Sequence, residues 1–312
     1  MMSRVLVTGG AGYVGSILVE HLLDAGHSVT VLDNLLWGQT SLFGFCHRPG
    51  FEFIHGDARD TALLKEQIPI HDVLIPLACL VGAPACDRDP LTAESVNYEA
   101  VVTLNRLKSP AQRLIYPNTN SGYGTGTGEV NCTEETPLEP ISLYGRTKVR
   151  AELELLESEN TITLRLATVF GMSYRMRLDL LVNDFVYQAF HNRSLVLFEE
   201  HFKRNFVHVR DVADCFLHCM ENFDVMKGRP YNVGLDEANL SKLELAQLIK
   251  KSVPALSIHS AAIGEDPDKR NYIVSNARLK ESGFAARRSL EEGIQELLKG
   301  YRMMGRRPHR NV

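Results

Sequence analysis

The sequence predicts an α/β protein: a Rossmann-type, doubly wound parallel sheet with a smaller C-terminal substrate-binding lobe. Three observations carry this reading. Short apolar β-rich runs alternate with helical stretches through the first half of the chain, a glycine-rich turn follows the first run, and an acidic residue closes the second. Strands that are apolar without alternation are covered on both faces, as in parallel sheets. Right-handed crossovers then leave the doubly wound topology.

Residues 5–8 read as the first strand, and 13–25 as a helix that stops at Gly26. Further strands are predicted over 28–32, 51–54, 73–77, 114–116 and 161–166, with helices over 93–107 and 144–157. After Gly171 the pattern loosens: helices over 180–190, 212–221 and 242–251, and a late strand at 231–233. Shorter elements and more charge point to a smaller lobe that closes over the first. The expected division is a dinucleotide-binding domain over 1–170 with a returning segment near 206–233, and a second lobe from 171–205 and 234–312. No repeat, low-complexity stretch or long linker interrupts it.

Composition narrows the function classes. At 312 residues and 44% hydrophobic, the chain can bury a full core. Its 34 basic and 38 acidic residues nearly balance, so no general attraction to nucleic acid or anionic membrane is expected. The basic run Arg306-Arg307-Pro308-His309-Arg310 reads as a solvated tail. No signal peptide is expected, because a strand begins almost at once. No apolar stretch approaches the roughly 20 residues of a membrane helix. Six scattered cysteines without a CxxC pair suggest a reducing, cytoplasmic compartment. Cys215 and Cys219, one helical turn apart beside His218, read as a buried helix face rather than a metal site, and no metal is expected.

The turn after the first strand is Thr8-Gly9-Gly10-Ala11-Gly12-Tyr13-Val14-Gly15-Ser16. Such glycines are common, but here they follow a strand, open a helix and precede Asp33 at the end of the second strand. Gly9 permits the tight turn, Gly12 lets the backbone approach a pyrophosphate, and Gly15 lets the helix pack closely on the sheet. Free N–H groups at the helix start, from Tyr13 and Val14 onward, would hold the pyrophosphate. Asp33 is expected to accept from the adenosine ribose hydroxyls. Its charge would repel a 2′-phosphate and Asn34-Leu35 supplies no arginine to hold one, so NAD is expected over NADP, with Asn34 among the expected cofactor contacts.

The second signature is Tyr144-Gly145-Arg146-Thr147-Lys148. Four residues apart on a helix, Tyr144 and Lys148 share a face. A nearby ammonium stabilises a phenolate, which lets Tyr144 take the proton of an alcohol as hydride leaves its carbon. Lys148 is also expected to hold the nicotinamide ribose.

Together with Gly56-Asp57-Ala58-Arg59-Asp60, Asn97 and Phe206-Val207-His208-Val209-Arg210-Asp211-Val212, these motifs make the chain resemble an extended short-chain dehydrogenase/reductase over nearly its whole length. The resemblance implies that Asp57, followed by Ala58, binds the adenine ring and that Leu77, Ala78 and Cys79 line the cofactor. It places the third catalytic group at Thr119, with Ser121 as competitor, to orient the reacting oxygen toward Tyr144. Helices over 93–107 and 144–157 resemble those of a family dimer interface, which implies a homodimer or higher homo-oligomer. His208 resembles a structural position on a strand.

Members of this class oxidise a nucleotide-linked sugar, commonly at C4. Similar 4,6-dehydratases carry an acid directly after the catalytic threonine; Asn120 stands there and cannot abstract a proton. A dehydrogenase that releases the ketone and a 4-epimerase acting on a UDP- or dTDP-hexose remain open. The runs Leu80-Val81-Gly82-Ala83-Pro84, Tyr116 to Gly124, Arg175 to Phe185 and Gly264 to Arg270 resemble bacterial GDP-heptose 4-dehydrogenases, which implies a GDP-linked heptose and a place in capsule biosynthesis. Arg204 matches a family position that contacts the diphosphate, and Arg270 lies where similar enzymes place another cation. Arg175, Arg177 and Asn183 are candidates for sugar or phosphate contacts, as are Asn120 and Ser121 near the reacting oxygen. Thr168 occupies a nucleotide-sugar position that is asparagine in many UDP-sugar epimerases. A catalytically silent NAD-binding regulator is the rival reading, but such proteins lose the tyrosine or the lysine, and both are present.

Overall fold

In the computed structural model, residues 2–124, 131–261 and 271–304 are described. Seven strands form a central sheet in the spatial order Arg229–Val233, Thr161–Leu166, Arg113–Thr119, Val73–Pro76, Arg4–Thr8, Ser28–Asp33 and Phe51–His55. Every neighbouring pair is parallel. The chain order reverses between Arg4–Thr8 and Val73–Pro76, so a crevice opens at the carboxyl ends of these two strands, where doubly wound sheets bind ligands. The glycine turn, at the end of the first, and Leu77, which continues the second by donating from its N–H to the Thr8 carbonyl at 2.8 Å, flank that crevice.

The central strands of the sheet bury apolar residues on both faces. Val5, Leu6, Val7, Val73, Leu74, Ile75, Ile162 and Leu164 are all fully buried. On one face lie the helices Tyr13–Asp24 and Val209–Glu221, and on the other Ala100–Leu107 and Leu143–Leu156. The predicted helix over 93–107 is three segments, Pro90–Glu94, a π-helical turn Ser95–Glu99 and Ala100–Leu107. Strands run longer than predicted at their ends, reaching Asp33, His55 and Thr119, because edge polar residues still join the ladder.

A three-stranded sheet, Asn239–Ser241, Lys203–His208 and Thr168–Phe170, and helices Leu181–His191 and Lys242–Ser252 belong to the second half. They share one continuous hydrophobic cluster with the first helix and strand, from Val5 and Ile17 to Val182, Leu245 and Ile294. The helix Leu290–Met303 is absent from the expected elements, although its signals are present. Ser289 and Glu292 form a capping box, and Leu290, Ile294, Leu297, Leu298 and Tyr301 recur on one face. Cys215 and Cys219 are both buried in Val209–Glu221. Among the described residues no helix is long and apolar enough to cross a membrane.

Candidate active site

The glycine turn is shaped by contacts that tolerate no side chain. Gly9 has φ +72, and a Cβ there would lie 2.4 Å from the Ala78 nitrogen. Gly12 caps the helix Tyr13–Asp24 without any side-chain hydrogen bond, which leaves the first-turn N–H groups pointing outward. The close-packing part expected of Gly15 needs correction. A Cβ at Gly15 would meet the Gly10 backbone at 2.7 Å, whereas one at Gly10 would meet the Val31 methyls at 2.8 Å. Gly10 therefore lays the turn on the second strand, and Gly15 lets the turn fold over its own helix.

Asp33 is nearly buried, and its carboxylate already organises the turn. Oδ2 accepts from the Ala11 N–H at 3.0 Å, and Oδ1 accepts from Leu35 N–H at 2.8 Å and Gln39 Nε2 at 3.3 Å. Burial raises its pKa, and the two backbone bonds oppose the rise. A carboxylate has about four lone-pair sites, so capacity remains for a ribose. Asp57 is held down to about 2, chiefly by hydrogen bonds from Arg59, and Asn34 Nδ2 approaches it at 3.4 Å. Ala58 lies beside Thr8, Pro76 and Ala78. These residues fit a dinucleotide: an uncapped helix start for the diphosphate and an acidic group at the second strand end for the ribose. If Asp33 performs that role, Asp33→Ala weakens NAD binding by about tenfold or more, measured by titration calorimetry; unchanged affinity would remove the ribose assignment.

One residue whose partners the sequence does not announce holds the segment expected to line the cofactor. Asn97, 1% exposed in the π-helical turn, accepts from Leu80 N–H at 2.8 Å and donates to Leu80 carbonyl at 3.0 Å. It thereby pins the backbone immediately after Cys79. A π turn is a signal often found at functional sites.

Lys148 is 4% exposed, with Nζ 3.9 Å from the centroid of the Tyr116 ring. Burial lowers its pKa to about 8, while Cys79 and Glu152 oppose the fall. Tyr144 stands one turn earlier on the same helix, which starts at an N-cap where Ser142 accepts from the Gly145 N–H. Thr119 ends the strand Arg113–Thr119; its Oγ1 lies 2.9 Å from Ser121 Oγ and accepts from the Ser121 N–H at 3.1 Å. Thr119 and Ser121 thus form one hydroxyl pair. Asn120, between them, is 2% exposed, and neither its Oδ1 nor its Nδ2 has a hydrogen-bond partner among the described residues.

Several expected substrate residues sit elsewhere in the bonding pattern. Asn183 is fully buried, with Oδ1 accepting from Gly171 N–H and Nδ2 donating to the Tyr13 hydroxyl and the Arg177 carbonyl. Its amide is fully committed, so the expected phosphate contact is corrected to a packing role. Tyr13 likewise turns its hydroxyl away to the Gly171 carbonyl at 2.7 Å, leaving only its backbone for a cofactor. Arg175 lies 5.8 Å over Trp37, and its Nη1 donates to the Met176 carbonyl. Arg177 pairs with Asp179 at 2.5 Å. Arg204 is buried on Lys203–His208, and Thr168, half-buried, pairs with Phe206 on the neighbouring strand. Arg270 lies outside the described residues. His208 is buried; its Nδ1 accepts from Arg210 N–H and its Nε2 meets Glu296 Oε2 at 2.7 Å, so both nitrogens are spent on structure.

Comparisons with known proteins agree with this fold. Residues 5–234 match the NAD dependent epimerase/dehydratase family. UDP-glucuronic acid decarboxylase 1 of Arabidopsis thaliana is 28% identical over 320 residues, covering 96% of this chain and 70% of that protein. The structure of dTDP-glucose 4,6-dehydratase from Bacillus anthracis in complex with NAD is similar at TM-score 0.84 and 23% identity, over 97% of each chain. UDP-glucose 4-epimerase of Thermotoga maritima, solved with UDP-glucose, also has TM-score 0.84, at 24% identity over 96% of this chain and 99% of its own.

Proposed function

We propose, for a chain that belongs to the NAD dependent epimerase/dehydratase family, that it oxidises a nucleotide-linked sugar at C4, most specifically as a GDP-D-glycero-α-D-manno-heptose 4-dehydrogenase. NAD is its cofactor and takes up the hydride when bound. The observation that carries the oxidation is the placement of a buried lysine one turn after Tyr144, beside a strand that ends in the Thr119–Ser121 hydroxyl pair. Lys148 stabilises the phenolate, Tyr144 removes the proton of the sugar hydroxyl, and Thr119 orients that oxygen. Lys148 also holds the nicotinamide ribose, and Arg204 and Arg175 serve the substrate's diphosphate side.

Asn120 supports a product that is not dehydrated, because a neutral amide cannot take the proton whose removal starts dehydration. The identity of the sugar rests on the resemblance of the runs at 80–84, 116–124, 175–185 and 264–270, the last of which lies outside the described residues. The same resemblance supports a role in surface-polysaccharide assembly, performed by a homo-oligomer in the cytoplasm.

The test is product analysis by NMR and mass spectrometry after incubation with NAD and GDP-D-glycero-α-D-manno-heptose. The expected product is two hydrogens lighter, with a ketone or its hydrate at C4. An isomer of unchanged mass would replace the dehydrogenase by a 4-epimerase. Conversion of UDP- or dTDP-hexoses alone would overturn the heptose assignment.

A further inference from the structure

Beyond Lys148 on the same helix lies a side chain that neither motif includes. Glu152 is fully buried, one turn after Lys148 and two after Tyr144. Its Oε1 accepts from Arg165 Nε at 2.9 Å and Nη2 at 2.7 Å; its Oε2 accepts from Asn118 Nδ2 at 2.7 Å and Thr163 Oγ1 at 3.0 Å. Asn118 immediately precedes Thr119 on its strand, and Arg165 and Thr163 belong to the next strand, Thr161–Leu166. Arg165 continues the chain of bonds, donating from Nη1 to the Tyr123 hydroxyl at 3.0 Å, which donates to Asn232 Oδ1 at 2.6 Å. One carboxylate thus joins the helix of Tyr144 and Lys148 to the strand of Thr119 and, through Arg165, to the strand Arg229–Val233.

We propose that Glu152 is a positioning residue: it fixes the register of the Tyr144–Lys148 helix against the end of the Thr119 strand and provides the negative charge that keeps the buried Lys148 side chain an ammonium. The inference rests on the catalytic reading of those three residues. Geometry supports the first half, because four directed bonds to two strands leave the helix no freedom to slide or turn without breaking one. The surroundings of Lys148 support the second. Around it are Cys79 from the segment after Val73–Pro76, Glu152 one turn on along its own helix and the Tyr116 ring from the strand Arg113–Thr119, and Tyr144 stands one turn before it on the helix. Behind Glu152 stands Arg165, another cation. Neutralising the carboxylate would leave Lys148 with desolvation and a like charge, and both favour loss of its proton.

The experiment compares the pH dependence of kcat/KM, the profile of the free enzyme, for wild type and Glu152→Gln. Burial places Lys148 near 8 in the wild type, so activity is expected to fall above that pH as the ammonium is lost. In Glu152→Gln this basic limb is expected to move down by about one pH unit or more, with kcat lowered about 30-fold or more. Circular dichroism and NAD affinity establish that the variant is folded. Should the single substitution leave Arg165 too poorly paired for folding, Glu152→Gln with Arg165→Met removes both charges and gives the same readout, with a smaller downward movement. A folded variant whose basic limb stays at the wild-type pH overturns the inference. Tyr144→Phe separates the two levels: if it is inactive while the Glu152 limb stays put, only the positioning role fails; if it is active, the catalytic reading fails.

Discussion

Replacing Tyr144 by phenylalanine is expected to lower kcat by about 10³-fold or more while NAD affinity stays within about twofold of wild type. The substitution removes one oxygen and keeps the ring at the start of the helix Leu143–Leu156. Apart from the ribose contact proposed for Lys148, the proposed cofactor cradle lies elsewhere, on the glycine turn, Asp33 and the backbone after Val73–Pro76, which are tied together by their own hydrogen bonds. The neighbouring groups are poor replacements for the base. Thr119 and Ser121 bond each other, Asn120 is an amide, and Tyr116, fully buried, has its pKa raised well above the usual phenol value by burial. Single-turnover measurement of NADH absorbance with the nucleotide sugar reads the step directly. A variant that still reduces NAD at near the wild-type rate would remove Tyr144 as the base.

Gly9→Ala carries the second large effect, on cofactor binding and stability together. The residue sits at φ +72, where a side chain costs about 1–2 kcal/mol. The added carbon would also lie 2.4 Å from the Ala78 nitrogen and 2.6 Å from its Cα. These are backbone atoms of a segment that Asn97 pins through Leu80 and that Leu77 anchors to Thr8, so they have little room to retreat. The glycine turn must move instead, and its movement breaks the Asp33–Ala11 bond and the aim of the helix N–H groups. A loss of about 3 kcal/mol or more in unfolding free energy is expected, with NAD binding weakened by about 100-fold or more. Denaturant unfolding and calorimetry measure the two. Gly10→Ala meets side-chain methyls of Val31 instead, which can shift, so a smaller loss is expected there; equal losses would show that backbone contact is not the cause.

Much of this protein is legible in its sequence because the relevant physics is local. The predicted ends of the strand Thr161–Leu166 are its actual ends, and all six of its residues are buried. The Gly9–Gly15 turn is a local conformational requirement, and the Tyr144–Lys148 spacing is fixed by helical pitch. The helix Leu290–Met303 shows that a legible signal can still be passed over, since its capping box and apolar face are plain in the residues. Asn183 illustrates the opposite case. An asparagine in a loop-to-helix segment next to arginines suits a phosphate, and nothing within that segment reveals that Gly171 and Tyr13 consume its amide.

Periodicity and spacing within about 10 residues of chain were enough for the parallel sheet, the dinucleotide turn and the helix face shared by Tyr144 and Lys148. Folding had to settle which glycine meets which backbone, that His208 is spent on Glu296, and that Glu152 joins the helix of Lys148 to the strand of Thr119. Those outcomes depend on partners distant in sequence. A hydrogen bond or a steric contact exists only once folding brings its second member within a few ångströms, and no pattern along the chain encodes that distance directly.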